Sequence, residues 1–383
     1  MTSAPPAAPT PLEEIIKQEL RSRGPEGHMS LSEYMGLCLG HPEHGYYTTR
    51  DPFGAKGDFT TAPEISQMFG ELIGAWLVDS WIKMGAPEKI TLLECGPGRG
   101  TLMADILRAT KGAATGGRTF HGAMDLHLLE TSPVLRKAQE TALKGYDAVW
   151  HSETESIPAD SPLMIIGNEF LDALPAAQFV WRDTPDGAGW QEKVIKLNIN
   201  DTLRLYEIPA SEALIKHIPA FLIPPKEGVQ VEVSLEQKSI LDELMNMMKK
   251  QGGIALFVDY GFIHSVPGDT LQALTKHRYT SILDRPGEVD ITTHVNFAEI
   301  SAQAMGENMT VHGPVAQGDF LNLLGLGVRA QMLHQNASPE QRRDIDAAVK
   351  RLSGKNTKDG EMGDLFKVIA IASDPEIELA GFA

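Results

Sequence analysis

Ile90-Thr91-Leu92-Leu93-Glu94-Cys95-Gly96-Pro97-Gly98-Arg99-Gly100 runs into Thr101-Leu102-Met103-Ala104-Asp105-Ile106-Leu107-Arg108. The first four residues are a short, mostly apolar run, the next seven carry three glycines at alternate positions, and the last eight place apolar side chains at helical spacing. A buried strand, a sharp turn and an amphipathic helix are expected in that order. Glycine tolerates the positive φ that such a turn needs and puts no Cβ in a ligand's way. The N-terminus of the following helix faces the same spot, which in open α/β sheets lies beyond the carboxyl ends of the strands and receives nucleotide-like ligands.

Downstream the strand and helix rhythm continues. A strand over Met124 to Glu130, a helix from Val134 to Leu143, and strands near Ala148-Val149-Trp150 and over Leu163 to Gly167 predict parallel βαβ units. Between Ala177 and Val233 short alternating runs take over, Gln178-Phe179-Val180-Trp181 and Glu192 to Leu197, with Asp186-Gly187 and Asn200-Asp201 as turns. They predict an antiparallel insertion suited to acceptor specificity. A helix from Leu235 to Lys250, a strand from Ile254 to Tyr260, a helix from Asn296 to Met305 and strands at Met309 to His312 and Leu365 to Ala370 restore the first pattern.

Upstream, helices are expected over Leu12 to Arg23 and Ser30 to Leu39, the second opened by Ser30 and Glu33 as a capping box. The aperiodic stretch His41 to Pro63 follows, with a helix from Pro63 to about Lys83. From Gly45 to Ser66 the chain is long and glycine-rich enough to serve as a lid over a ligand. The expected organisation is a disordered tail at 1–11, a helical and lid region at 12–88, a first core half at 89–176, the insertion at 177–233 and a second core half at 234–383.

The 383 residues can bury a substantial core. With 51 acidic against 34 basic residues the formal charge is -17, which disfavours sequence-independent nucleic-acid binding and eases docking of a basic protein. Cys38 and Cys95 are too few for a disulfide framework or a cysteine-rich zinc module, and fit small buried residues of a reducing compartment. No apolar run of about 18 residues suggests a membrane span. The Pro- and Ala-rich start lacks the features of a secretory or matrix leader, so a cytoplasmic location is expected. His41, Glu43 and His44 lack a matching partner set, so no metal is expected.

Spacing narrows the ligand. A dinucleotide-binding turn, G-x-G-x-x-G, would place its third glycine at position 101, where Thr101 stands, and this disfavours a nicotinamide-dependent oxidoreductase. No Gly-Lys-Ser/Thr follows, so the turn is not a P-loop. The pattern E-x-G-x-G-x-G from Glu94 to Gly100 resembles motif I of the class I S-adenosylmethionine-dependent methyltransferases. Glu130 ends the second strand, where a carboxylate can accept the protons of ribose hydroxyls.

Several longer segments together resemble the MidA-like methyltransferases: Lys56-Gly57-Asp58-Phe59-Thr60-Thr61-Ala62-Pro63-Glu64-Ile65-Ser66, the glycine turn, Gly167-Asn168-Glu169-Phe170-Leu171-Asp172-Ala173-Leu174-Pro175, Asp259-Tyr260-Gly261, and Val289-Asp290-Ile291-Thr292-Thr293-His294-Val295-Asn296-Phe297. The likeness covers residues 12 to 372. It implies a Rossmann-like α/β fold with a seven-stranded, mostly parallel sheet, an N-terminal lid and a β-rich insertion. It also implies S-adenosylmethionine as cofactor and a protein arginine as leading acceptor, since the family includes a mitochondrial assembly factor that methylates a complex I subunit. The absence of a presequence favours a bacterial, cytoplasmic member, for which the acceptor is open.

The expected cofactor set is Asp58, Thr60, Glu64, Glu94, Gly96, Pro97, Gly98, Gly100, Glu130, Ser152 and Asn168, the last at the methionine end or the acceptor. Glu169 and Asp172, three residues apart, could grip a guanidinium, and His294 could close the acceptor pocket, with Tyr260 lining it. The alternatives are that Asp172 caps a following helix and Glu169 pairs with a Lys or Arg, that the acceptor is not arginine, or that the chain is an assembly chaperone retaining the cofactor fold.

Overall fold

The computed structural model describes residues 8–50, 60–185, 187–219, 222, 225–275 and 278–382. Two compact units emerge, each assembled from separated stretches. One takes residues 60–172, Lys238–Ser265 and 294–382; the other takes 8–50, Ala173–Gln237 and Val266–Thr293. The stretch expected as one N-terminal region, 12–88, is thus divided. Its helices up to residue 50 cluster with the 173–237 strands, while residues from 60 onward join the glycine turn.

In the first unit, strands β1 (Ile90–Cys95), β2 (Met124–Leu129), β3 (Ala148–His151), β4 (Leu163–Asn168), β5 (Gly253–Phe262), β6 (Thr310–Ala316) and β7 (Phe366–Ala372) lie in the order β6-β7-β5-β4-β1-β2-β3. β1 to β5 pair in parallel, whereas β7 runs antiparallel to both β5 and β6. An eighth, two-residue strand, Val295–Asn296, pairs with the end of β5. Every residue of β1 and β4 is buried, as expected for central parallel strands covered on both faces, and this explains why their sequences do not alternate. Thr91 satisfies its buried hydroxyl against Ser161, 2.9 Å away. Strand order reverses between β1 and β4, so the turns leaving these two strands diverge and open a crevice at their carboxyl ends.

Helices α1 (Gln67–Lys83), α2 (Thr101–Thr110), α3 (Pro133–Ala142) and α4 (Phe297–Gly306) belong to this unit. Trp76, Trp81, Phe120, Ile106, Leu92, Leu256 and Val368 share its core. The helix expected to run unbroken from Pro63 is interrupted. Ala62–Ile65 forms one turn, Ser66 is extended at φ -162°, and its hydroxyl accepts the Met68 N–H to start α1. Ser66 favours this cap because a short hydroxyl competes for a backbone N–H more readily than it supports a helix interior. Three more helices, Gln317–Leu323, Leu326–His334 and Pro339–Ser353, lie between β6 and β7.

The second unit holds helices Pro11–Ser22 and Leu31–Gly40 and an antiparallel sheet of Ala177–Thr184, Gly187–Leu197, Leu203–Pro209 and Gln230–Val233, joined by Met29–Ser30. Phe179, Trp190, Ile218 and Val231 form its small core. The capping box expected at Ser30 is half formed. Ser30 accepts the Glu33 N–H at 3.1 Å, but the Glu33 carboxylate binds the Arg23 guanidinium instead of reaching back, a charge-assisted pair displacing a neutral one.

Both cysteines are buried. Burial pushes the Cys38 thiol up to about 12 and raises that of Cys95 further, with Glu94 adding to the effect. Neither thiol should react with iodoacetamide at pH 7.5 in the folded protein, and both should react in denaturant. Mass spectrometry of the intact chain reads this directly, and rapid native labelling would contradict the buried placement.

Candidate functional site

A cleft enclosing about 380 Å³, including the space shared with solvent at its mouth, lies where the strand order predicts it. Glu94, Gly96, Pro97, Gly98 and Arg99 line it from the turn after β1, Thr101 and Leu102 from the start of α2, Asn168 and Glu169 from the end of β4, and Thr61, Pro63 and Glu64 from the short turn before α1. Of the residues expected from sequence, Glu64, Glu94, Gly96, Pro97, Gly98, Asn168 and Glu169 therefore converge.

All three glycines have positive φ, +61°, +53° and +80° at Gly96, Gly98 and Gly100. Their lack of a Cβ serves more than a ligand. A Cβ on Gly96 would sit 2.9 Å from the Phe170 ring, and one on Gly100 would sit 3.3 Å from the Gln139 backbone on α3. Two of the three positions thus also let neighbouring elements approach, a role beyond the tight turn and the room for a ligand expected from the sequence. Gly96→Ala combines backbone strain with this clash and should lower stability by about 1–3 kcal/mol in urea denaturation. An unchanged midpoint would show that Phe170 yields freely.

Electrostatics give the cleft its character. Glu94 is 2% exposed, its Oε2 has no hydrogen-bond partner, and burial, then the nearby Glu130, pushes its carboxyl up to about 8. Asn168 Oδ1 is likewise buried and unpartnered, while its amide donates to Glu169 Oε1 at 3.2 Å. Glu64 accepts from the Thr101 hydroxyl at 2.6 Å and lies 3.7 Å from Arg99. Two buried, unpartnered side-chain oxygens that line one cleft fit a ligand that brings hydrogen-bonding groups to both.

Glu169 is in the left-handed region at φ +51°, rare for a side chain of its size. Its N–H donates to the Val258 carbonyl at 2.8 Å, and its Oε1 accepts the Ala62 N–H at 3.3 Å. Burial, then Asp172, pushes its carboxyl up to about 7. Asp259 on β5 is fully buried and fixes the same segment: its Oδ2 accepts the N–H groups of Leu171 and Asp172 at 2.9 and 3.2 Å. Burial and the adjacent Asp172 and Glu169 hold Asp259 well above the usual carboxylate range. Asp259 was visible in sequence only as part of a strand-end motif, because its bonds span 88 and 87 residues.

Other expected residues stand apart from the cleft lining. Gly100 begins α2, and Thr60 is half-buried beside the cleft segment. Glu130 is 8% exposed, with Oε1 accepting the Ser132 N–H at 2.7 Å and Oε2 the Gln139 amide at 3.0 Å. Ser152 is exposed and accepts from Arg136 at 2.8 Å. Asp172 is buried behind Glu169 and starts no helix, which removes the capping alternative for it. His294 packs edge-to-face on Tyr260 at 5.3 Å, and burial lowers its pKa, disfavouring the charged ring. Asp58 lies outside the described residues.

A sheet of this order, with a glycine turn after β1 and polar residues closing β4, defines a class I S-adenosylmethionine-dependent methyltransferase. The chain belongs to the family described as "Putative S-adenosyl-L-methionine-dependent methyltransferase", whose model matches residues 72–315. It is 33% identical over 388 residues to the protein arginine methyltransferase NDUFAF7 homolog, mitochondrial, of Drosophila melanogaster, covering 94% of this chain and 84% of that one. The Homo sapiens protein arginine methyltransferase NDUFAF7, mitochondrial, is 31% identical over 390 residues, covering 94% and 83%. The fold matches a crystal structure from Burkholderia thailandensis bound to S-adenosyl-homocysteine with a TM-score of 0.81 and 24% identity, covering 98% and 97%.

The cleft suits this cofactor on its own evidence. Glu94 Oε2 and Asn168 Oδ1 are the kind of acceptors that the α-ammonium of a methionine moiety satisfies, and the acidic lining favours a ligand carrying sulfonium and ammonium charge. No helix among the described residues is long and apolar enough to cross a membrane.

Proposed function

We propose that this methyltransferase modifies an arginine side chain of a protein, with a subunit of respiratory complex I as the acceptor to test first. The observation that carries the reading is Glu169, a cleft-lining carboxyl group in a strained backbone conformation, with Asp172 and Asp259 buried behind it. A guanidinium needs a planar carboxylate partner, and one that titrates near neutrality can also take up the proton the nitrogen loses. The relatives' naming as protein arginine methyltransferases supports the same acceptor, and the charge of -17 favours a basic partner.

Bound S-adenosylmethionine supplies a methyl group on a sulfonium; its transfer breaks a C–S bond, forms a C–N bond and releases one proton from the acceptor nitrogen. Glu94 and Asn168 would hold the methionine end and Glu130, at the end of β2 beside the turn, would receive the ribose, while Glu64 supports the start of α2 through Thr101. Glu169, gripped by the Ala62 N–H and the Asn168 amide, aligns the acceptor nitrogen, which is the main task in a direct displacement.

Two measurements test this. Calorimetry should give saturable binding of S-adenosylhomocysteine, and its absence would overturn the cofactor site. Mass spectrometry of proteomes from cells with and without the gene should reveal a methylarginine that disappears; loss of a methyl group from another residue type alone would exclude the arginine acceptor.

A further inference from the structure

The side chain of Gln139 on α3 is fully buried and joins the glycine turn, the end of β2 and β3. Its Nε2 donates to the Gly98 carbonyl at 2.7 Å and to Glu130 Oε2 at 3.0 Å. Its Oε1 accepts from the Trp150 indole N–H at 2.8 Å. These partners leave the amide one orientation. An indole nitrogen only donates and so must meet the oxygen, while a carbonyl and a carboxylate oxygen accept and so must meet the NH₂ group. The Ser132 N–H holds the other oxygen of Glu130 at 2.7 Å, so the carboxylate plane is fixed from both ends.

We infer that Gln139 is a positioning residue for the cofactor, locking the glycine turn at Gly98 and the Glu130 carboxylate into one rigid frame, with Trp150 as the lock on its amide. This rests on the reading of Glu130 as the ribose acceptor. A carboxylate that must meet two vicinal hydroxyls loses its advantage if its plane rotates, and a turn that must receive the methionine end loses its own if Gly98 shifts. Gln139 unites both requirements because its two N–H groups point along the short path between them. The close fit of Gly100 against the Gln139 backbone holds α3 at the distance these bonds need.

The test uses the full chain and calorimetric affinities for two ligands, S-adenosylhomocysteine and its 2′,3′-dideoxy analogue. Gln139→Met keeps the side-chain length and removes the amide. It should weaken S-adenosylhomocysteine about 10- to 100-fold, the loss expected when a buried hydrogen-bond network is broken, and should weaken the dideoxy analogue markedly less. Equal losses for the two ligands, or no loss in a folded variant, would overturn the inference. Trp150→Phe keeps the aromatic packing and removes only the lock. A several-fold loss with the same ligand dependence supports the proposal, and unchanged affinity overturns the lock, so a poorly folding Gln139→Met does not leave the question open. Glu130→Gln with the same ligands tests the ribose reading separately: if it discriminates between them and Gln139→Met does not, only the role of Gln139 fails.

Discussion

Glu94→Gln should bind S-adenosylhomocysteine about 10- to 100-fold more weakly than the native protein, yet be the more stable of the two without ligand at pH 8.5. Both effects follow from one carboxyl group. Glu94 is buried with an unpartnered oxygen and has its pKa raised to about 8, whereas in the unfolded chain it titrates near 4.5. Between those values the unfolded state gives up the proton first. The native state is therefore progressively disfavoured as pH rises from about 4.5 to 8, and the penalty levels off above that. Glutamine does not titrate and escapes the penalty, which is on the order of a few kcal/mol after allowing for the buried amide's own unmet donors.

Binding reverses the balance. An ammonium presented to Glu94 favours its ionised form, so near pH 7 complex formation should release close to one proton, seen as a dependence of calorimetric heat on buffer ionisation enthalpy. Glu94→Gln should lose most of that release together with the charge-assisted bond, roughly 1.5–3 kcal/mol. A variant with native affinity and native proton release would remove Glu94 from the cofactor site.

Glu169→Gln should reduce kcat about 10²- to 10³-fold while changing S-adenosylhomocysteine affinity less than threefold. The separation is expected under the proposed arrangement, in which Glu169 lines the cleft as the acceptor's partner, while the unpartnered oxygens left for the cofactor are those of Glu94 and Asn168. The pH profile provides a second reading. Burial and Asp172 push Glu169 up to about 7, so kcat/KM in the native protein should rise with pH through that value as the carboxylate forms. In Glu169→Gln that limb should disappear. An unchanged kcat, or a limb that survives, would take away the guanidinium grip and with it the main support for an arginine acceptor.

The strained φ of Glu169 is consistent with a group held for chemistry, since the backbone around it is over-determined by Val258 and Asp259. Neither bond was foreseeable from the Asn168-Glu169-Phe170 run. Gln139 offered still less: it lies mid-helix among Lys, Glu and Ala, and only its burial marks it out.

What the sequence determined by itself was local and periodic. Continuous apolar runs announced β1 and β4 because a central parallel strand is buried on both faces, and alternation announced Gly187–Leu197, where buried residues alternate with half-buried ones from Gly189 to Val194. The glycine turn was legible because positive φ restricts which residues can stand there, and its spacing around Thr101 disfavoured a dinucleotide. Tertiary structure alone decided which polar groups meet. The amide of Gln139 reaches Gly98 across 41 residues, Asp259 reaches Leu171 across 88, and Glu169 meets Ala62 across 107. It also decided which of those groups lose water, and so why burial pushes the carboxyl of Glu94 up to about 8 and that of Glu169 up to about 7. Hydrogen bonding and desolvation depend on three-dimensional neighbours, and a pattern with a period of two or 3.6 residues carries no record of them.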